Sequence, residues 1–208
     1  MNIIYIVQAN SWNLNHGTPI LASQYSEMAK KKKFQVCLVT PTFEEKLFYK
    51  TFNREGIFYH YLPAIHNWKL DGFEKKKKDF SENLRLPFKP DLIHIIDLVH
   101  FNSQLVYELS KFNVPLIRHI CSFEDFCYFV SPIFNNTNHS LCKVKLNETV
   151  CSKCISKNFM KNQKFLKKIK FFFNNKEKKF KNELVSKLKF RNDIVNQQIN
   201  NNFNHLIF

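Results

Sequence analysis

The chain has 208 residues, 44% of them hydrophobic, with only three glycines, 23 phenylalanines and a net charge of +15. That is ample apolar material for a core, in one large domain or two small ones. No apolar run is long enough to cross a bilayer, and the amino terminus lacks the basic region and cleavage pattern of a secretory leader. A cytoplasmic location is therefore expected, with the inner face of the membrane as an alternative peripheral site. In that compartment the six cysteines are more simply thiols or metal ligands than disulfides. The positive charge invites nucleic acid or anionic lipid as a partner, although lysine drift onto solvated faces explains part of it.

Ile3 to Val7 has the pattern of a buried strand. Gln8 to Gly17 is a polar loop, and Thr18-Pro19 marks a helix start, with threonine as cap and proline at the first helical position. Leu21, Tyr25 and Met28 are spaced to line one helical face, and Phe34 to Val39 is a second strand on which Cys37 is a core thiol. Strand, loop, helix, strand is a mononucleotide-type opening. The loop holds a single glycine, so the G-x-G-x-x-G fingerprint is absent and no nicotinamide or flavin cofactor is expected. His16, Gly17 and Thr18 sit where such folds place a ligand-facing turn, ahead of free helix N–H groups.

Gly56 to Leu62 alternates as a third strand. Lys75 to Lys78 lies on a segment with helical spacing of Phe73, Phe80 and Leu84. Leu92 to Ile96 is a short apolar run of the kind buried on both faces. Asn102 and Ser103 open a helix with Leu105, Val106 and Leu109 as its apolar stripe, and Val114 to Arg118 begins the next strand. Two strands joined by one helix make a parallel crossover. Ligands of such sheets lie beyond the carboxyl ends of the strands. Those ends carry His94, Asp97 and His100, then His119, Cys121, Glu124 and Asp125. The expected fold is thus α/β: a Rossmann-like, largely parallel sheet with helices on both faces.

From Cys121 to Cys154 the periodicity stops, so residues 121–155 read as a cysteine-rich insertion. Cys151-Ser152-Lys153-Cys154 has the spacing of a metal knuckle, and Cys127 and Cys142 are the other candidate ligands of a structural zinc; buried free thiols are the alternative. A helical stripe from Phe180 follows, and Leu206 to Phe208 read as the opening of a further strand.

These features resemble the amino-terminal, acceptor-side half of family 4 glycosyltransferases with the GT-B fold. The resemblance rests on the loop His16-Gly17-Thr18, the Asp-x-x-His strand Asp91-Leu92-Ile93-His94, the strand Val114 to Ile117, and the cysteine set ending in Cys-x-x-Cys. It implies one Rossmann-like domain over residues 1–208 that handles a sugar acceptor. His16, Gly17, Thr18, His94 and Asp97 would be substrate-binding. Two departures stand out. The family's usual active-site histidine falls at Cys121; either His119, two residues earlier on the same face, takes its place as the catalytic residue, or that histidine is lost. The nucleotide-sugar-binding half is not among these residues, so the chain is expected to be inactive alone and to meet a nucleotide-sugar only with a second domain or subunit. A non-catalytic binding module or a subunit of a split enzyme is the second reading. Nucleic-acid binding is the third, since no RNA- or DNA-recognition motif is present.

Overall fold

The computed structural model describes residues 1–8, 17–65, 84–101, 104–119, 134–135, 140–141, 149–154, 185–186, 189 and 205–207. The chain divides into two compact units, one formed by Met1–Cys121 with Asn196–Phe208, the other by Ser122–Val195.

The first unit is built on strands β1 (Asn2–Ile6), β2 (Gln35–Thr42), β3 (Thr51–Arg54), β4 (Ile57–Pro63), β5 (Leu92–Ile95), β6 (Leu116–His119) and β9 (His205–Ile207), with helices α1 (Gly17–Lys31) and α2 (Gln104–Ser110). Their order across the sheet is β3-β4-β2-β1-β5-β6-β9. Every neighbouring pair is parallel except β3 with β4. With β3 set aside, the parallel strands follow the order 3-2-1-4-5-6, the doubly wound arrangement whose switch point lies between the first and fourth strands. Here that point is the seam between β1 and β5.

Each face of the sheet has its own core, because successive side chains on a strand point to opposite sides. Ile4, Ile6, Cys37, Val39, Ile93 and Ile95 pack with Leu105, Val106 and Leu109 of α2. Ile3, Tyr5, Val7, Val36 and Leu38 pack with Ala22 and Ala29 of α1. Helices therefore lie on both faces, and all five strands expected from apolar runs are present. Of the fragment expected at 206–208, Leu206 and Ile207 lie in a strand, β9, against β6, and Phe208 is outside the described residues.

Two features differ from the sequence reading. The stripe that α1 buries is Pro19, Ala22, Ser26 and Ala29, while Met28 is 59% exposed. Small side chains let the helix lie close to the sheet, and the Ser26 hydroxyl donates to the Ala22 carbonyl at 2.7 Å, so its polarity is no obstacle there. Strand β3, with all four residues exposed, carries no apolar pattern to betray it. It is held by a two-residue hairpin in which Glu55 (φ 53°) and Gly56 (φ 83°) are both left-handed, as a type I′ turn requires. The Asn53 side chain accepts the Gly56 N–H at 3.1 Å. Gly56→Ala has space for its methyl group, whose nearest neighbour would be Lys30 Cε at 3.8 Å; the penalty is the backbone conformation. It should destabilise the chain by about 1 kcal/mol, read as a lower urea midpoint at unchanged slope.

In the second unit the described elements are β7 (Phe134–Asn135) paired antiparallel with β8 (Ser140–Leu141), and a helical turn over 149–154. The charged segment at 75–78 lies outside the described residues.

Candidate functional site at the carboxyl ends of the strands

The seam between β1 and β5 is closed by the Ile96 and Asp97 N–H groups, which both donate to the Ile6 carbonyl, at 2.9 and 3.3 Å. The chain leaves β1 at Val7 and Gln8, and the Gln8 amide donates to the Thr18 hydroxyl at 2.9 Å. That bond ties the end of β1 to the first turn of α1. Gln8 was not singled out from the sequence, where it is one polar residue in a polar loop. Helix α1 begins at Gly17, two residues before the expected first helical position at Pro19, so Thr18 lies inside the first turn instead of capping it, and its hydroxyl accepts from Gln8. Gly17 is exposed, and a β-carbon there would meet nothing within 4 Å, so the fold itself does not require glycine at this point.

Asp97 is buried, at 2% exposure, as is Arg118. The pairing of Ile95 with Arg118 sets both charged residues on the α2 face, close to the carboxyl edge. On the α1 face a row of rings runs outward. Tyr5 stacks on Tyr25 at 6.1 Å, both tilt against His94, at 5.7 and 5.4 Å, and His94 lies parallel to His119 at 5.9 Å and 6°. His119, the last residue of β6, is half-buried and ends the row at the carboxyl ends of the strands. The two tyrosines of this row were legible only as core residues.

Burial sets the protonation of the row. It lowers His94 to about 4, helped by His119 and Arg118. It also lowers His119, again with Arg118 contributing. Burial together with Tyr25 pushes the Tyr5 hydroxyl up to about 12. At pH 7 Tyr5 and His94 are therefore neutral, and burial favours the neutral form of His119. His94 Nε2 and His119 Nδ1 are buried and find no hydrogen-bond partner among the described residues. Neutral imidazoles can hydrogen-bond a hydroxyl but supply no fixed charge to a phosphate.

Other expected residues have different parts. Asp91, at the opposite end of β5, accepts the Asn2 N–H at 2.7 Å and so fixes the start of β1 against β5. His100, left-handed at φ 65°, places its Nδ1 3.0 Å from the Ile65 carbonyl and accepts the Ile65 N–H on its own carbonyl at 2.9 Å. It joins the loops after β4 and β5. Cys37 is a core thiol, fully buried and with its pKa pushed up by that burial. His16, Cys121, Glu124, Asp125, Cys127 and Cys142 lie outside the described residues. Cys151 and Cys154 are half-buried on the helical turn 149–154. A spacing of three residues puts both on one face of that turn, which suits a shared ion. Among the described residues no group of three or more potential ligands forms a metal cluster, and no helix is long and apolar enough to cross a membrane. Comparison with family models, curated proteins and solved structures yields no match.

Proposed function

We propose that this chain is the acceptor-side half of a retaining sugar transferase that uses a nucleotide-sugar donor. The observation that carries the reading is that Thr18, Asp97 and His119, from both faces, all lie at the carboxyl edge of a sheet with 3-2-1-4-5-6 order, where doubly wound folds take their ligands. The resemblance of the loop at Gly17 and of the strand ending in His94 supports the same reading. His119 offers a neutral imidazole to a sugar hydroxyl. Asp97 provides a buried carboxyl group just past the end of β5, and Gly17 leaves room for a ligand to approach the α1 backbone. Work of this kind is positioning and stabilising charge as the donor bond breaks.

The diphosphate of a donor needs cations. Among the described cations near the carboxyl edge, Arg118 is buried, Lys46 already pairs with Glu44 at 3.2 Å, and Lys50 lies beside Tyr61 of β4, two strands away from the seam between β1 and β5. The donor site therefore belongs to a second half, and the 208 residues alone are expected to turn over no nucleotide-sugar. The test is a panel of nucleotide-sugars assayed for transfer and hydrolysis, with and without the polypeptide encoded downstream. Activity only with the second segment supports the proposal. In that assembly His119→Ala should lower turnover by about 100-fold or more. Gly17→Ala should weaken acceptor binding while leaving thermal stability unchanged or slightly raised, since alanine is the better helix residue. Turnover by the 208 residues alone would overturn the two-half reading, and no activity in either case would favour a non-catalytic binding module.

We also propose that Cys127, Cys142, Cys151 and Cys154 hold one structural zinc, supported by the shared face of Cys151 and Cys154. Four thiolates close a tetrahedral site and leave no position for substrate. Metal analysis of the purified chain should give one zinc per molecule, and Cys151→Ser should lower that occupancy while the parallel sheet keeps its circular dichroism. Zinc-free protein with four freely reactive thiols would remove this assignment.

A further inference from the structure

The two ends of the parallel sheet differ in charge. At the amino ends of the strands lie the turn from α1 into β2, the hairpin between β3 and β4, and the approach to β5. Lys31, Lys32 and Lys33 are exposed there and form no ion pair with a described residue. Lys30 and Arg54 are already engaged by Glu27 and Glu55. Lys30 and Lys31 complement the negative end of the α1 dipole, but Lys32 and Lys33 lie past the last turn and have no such role. Lys33 is left-handed, at φ 61°, where glycine or asparagine fits more easily. The lysine sits there against the preference of the backbone. Two exposed methionines flank the group: Met28 in the last two turns of α1, and Met1, 52% exposed, whose carbonyl accepts the Gln35 N–H at 3.0 Å. At the surface of the opposite end Glu44 and Glu45 are matched by Lys46 and Lys50, and Asp97 and Arg118 are both buried, so no excess of positive charge gathers there among the described residues.

We propose that this amino-terminal rim, centred on Lys31, Lys32 and Lys33 and flanked by Met1 and Met28, docks onto an anionic lipid bilayer. A lysine cluster next to unbranched apolar side chains fits the charged surface and shallow apolar layer of such a bilayer. A single-stranded nucleic acid would call for aromatic platforms. Among the described residues the exposed large aromatics are Phe43, Phe52 and Tyr107, at the end of β2, on the edge strand and in the middle of α2. Docked by this rim, the sheet stands with its carboxyl-end crevice turned away from the lipid. The proposal is independent of the sugar-transfer reading and holds whether or not that reading survives.

The test is co-sedimentation of the 208-residue chain with vesicles of phosphatidylcholine alone or mixed with phosphatidylglycerol, at 50 and 300 mM salt. Two double variants remove the same charge from opposite ends: Lys31→Gln with Lys32→Gln, and Lys46→Gln with Lys50→Gln. Binding is expected only to the anionic vesicles. The rim variant should weaken it by about 25-fold, on the scale of roughly fivefold per lysine near a charged surface, and the other variant by less than about threefold. Met28→Ser should lower the binding that persists at high salt. Equal losses from the two double variants would mean that only net charge matters and would overturn the proposal. So would equal binding to neutral vesicles, or no binding at either salt. A rim-dependent affinity for poly(A) RNA without vesicle binding would overturn it in favour of nucleic acid.

Discussion

Acidification from pH 7 to pH 4 is expected to remove several kcal/mol of stability from the sheet. Burial holds two histidines neutral, lowering His94 and His60 to about 4 each. In the unfolded chain both return to an ordinary histidine value near 6.5. Between those values the unfolded state binds more protons than the folded state, so stability rises with pH across the interval. It is fully present above about pH 6.5 and is lost progressively as the pH falls toward 4. Each displacement is worth about 3 kcal/mol, against a total of about 5–15 kcal/mol for a domain. The contributions have different structural settings. His60, buried in β4, places its Nδ1 2.8 Å from the Thr51 hydroxyl of β3, so its protonation strains the edge hairpin. Protonating His94 puts a cation between two tyrosines and beside His119 and Arg118. Urea midpoints measured at half-unit steps of pH give the slope directly. His94→Phe keeps the ring packing without the titration and should remove about half of the slope. A midpoint that stays level from pH 7 to 4.5, or a slope that the variant leaves intact, would sink this account.

Ile95→Ala should be the most damaging single truncation, lowering stability by about 2–5 kcal/mol. Ile95 is fully buried on a strand flanked by β1 and β6, and it packs in the same core as Leu105, Val106 and Leu109 of α2. Strands on both sides limit how far the site can collapse around the lost atoms, so most of the cavity remains. Tyr107→Ala, on the exposed side of the same helix, is the control. It should change stability by no more than about 0.5 kcal/mol. Urea denaturation of the two variants tests the contrast, and comparable losses would mean that α2 is not held by this core.

How much of this was legible in the chain depended on where side chains go. Leu92 to Ile96 announced a doubly buried strand because nearly every residue in it is apolar. The row ending in His119 was half legible: His94 and His119 were flagged by type and position, whereas Tyr5 and Tyr25 looked like ordinary core. Their joint effect needs the pairing of Tyr5 with His94, a contact between residues far apart in sequence. Arg118 gave no sign of burial, since a charged residue at a strand end is normally solvated. Strand β3 was missed because exposed residues leave no hydrophobic period. The only local cue was Gly56, two positions after the strand. Met28 was placed on the buried face of α1 by its apolarity, yet the sheet selects Ala22, Ser26 and Ala29, whose merit is size.

The position of β9 has a consequence for the order of events during folding. Its residues, His205–Ile207, pair with β6, whose residues end at His119, and the whole of Ser122–Val195 forms another compact unit in between. A chain emerging from a ribosome therefore displays β1, β2, β4, β5 and β6 long before the strand that covers the outer edge of β6 exists. Through that interval β6 offers its unpaired backbone groups to any extended segment nearby, which is the condition for mispairing between nascent chains. Closing so long a loop is also slow. A delay in synthesis between residues 122 and 195 lengthens the exposure, whereas a peptide supplying residues 196–208 in trans shortens it.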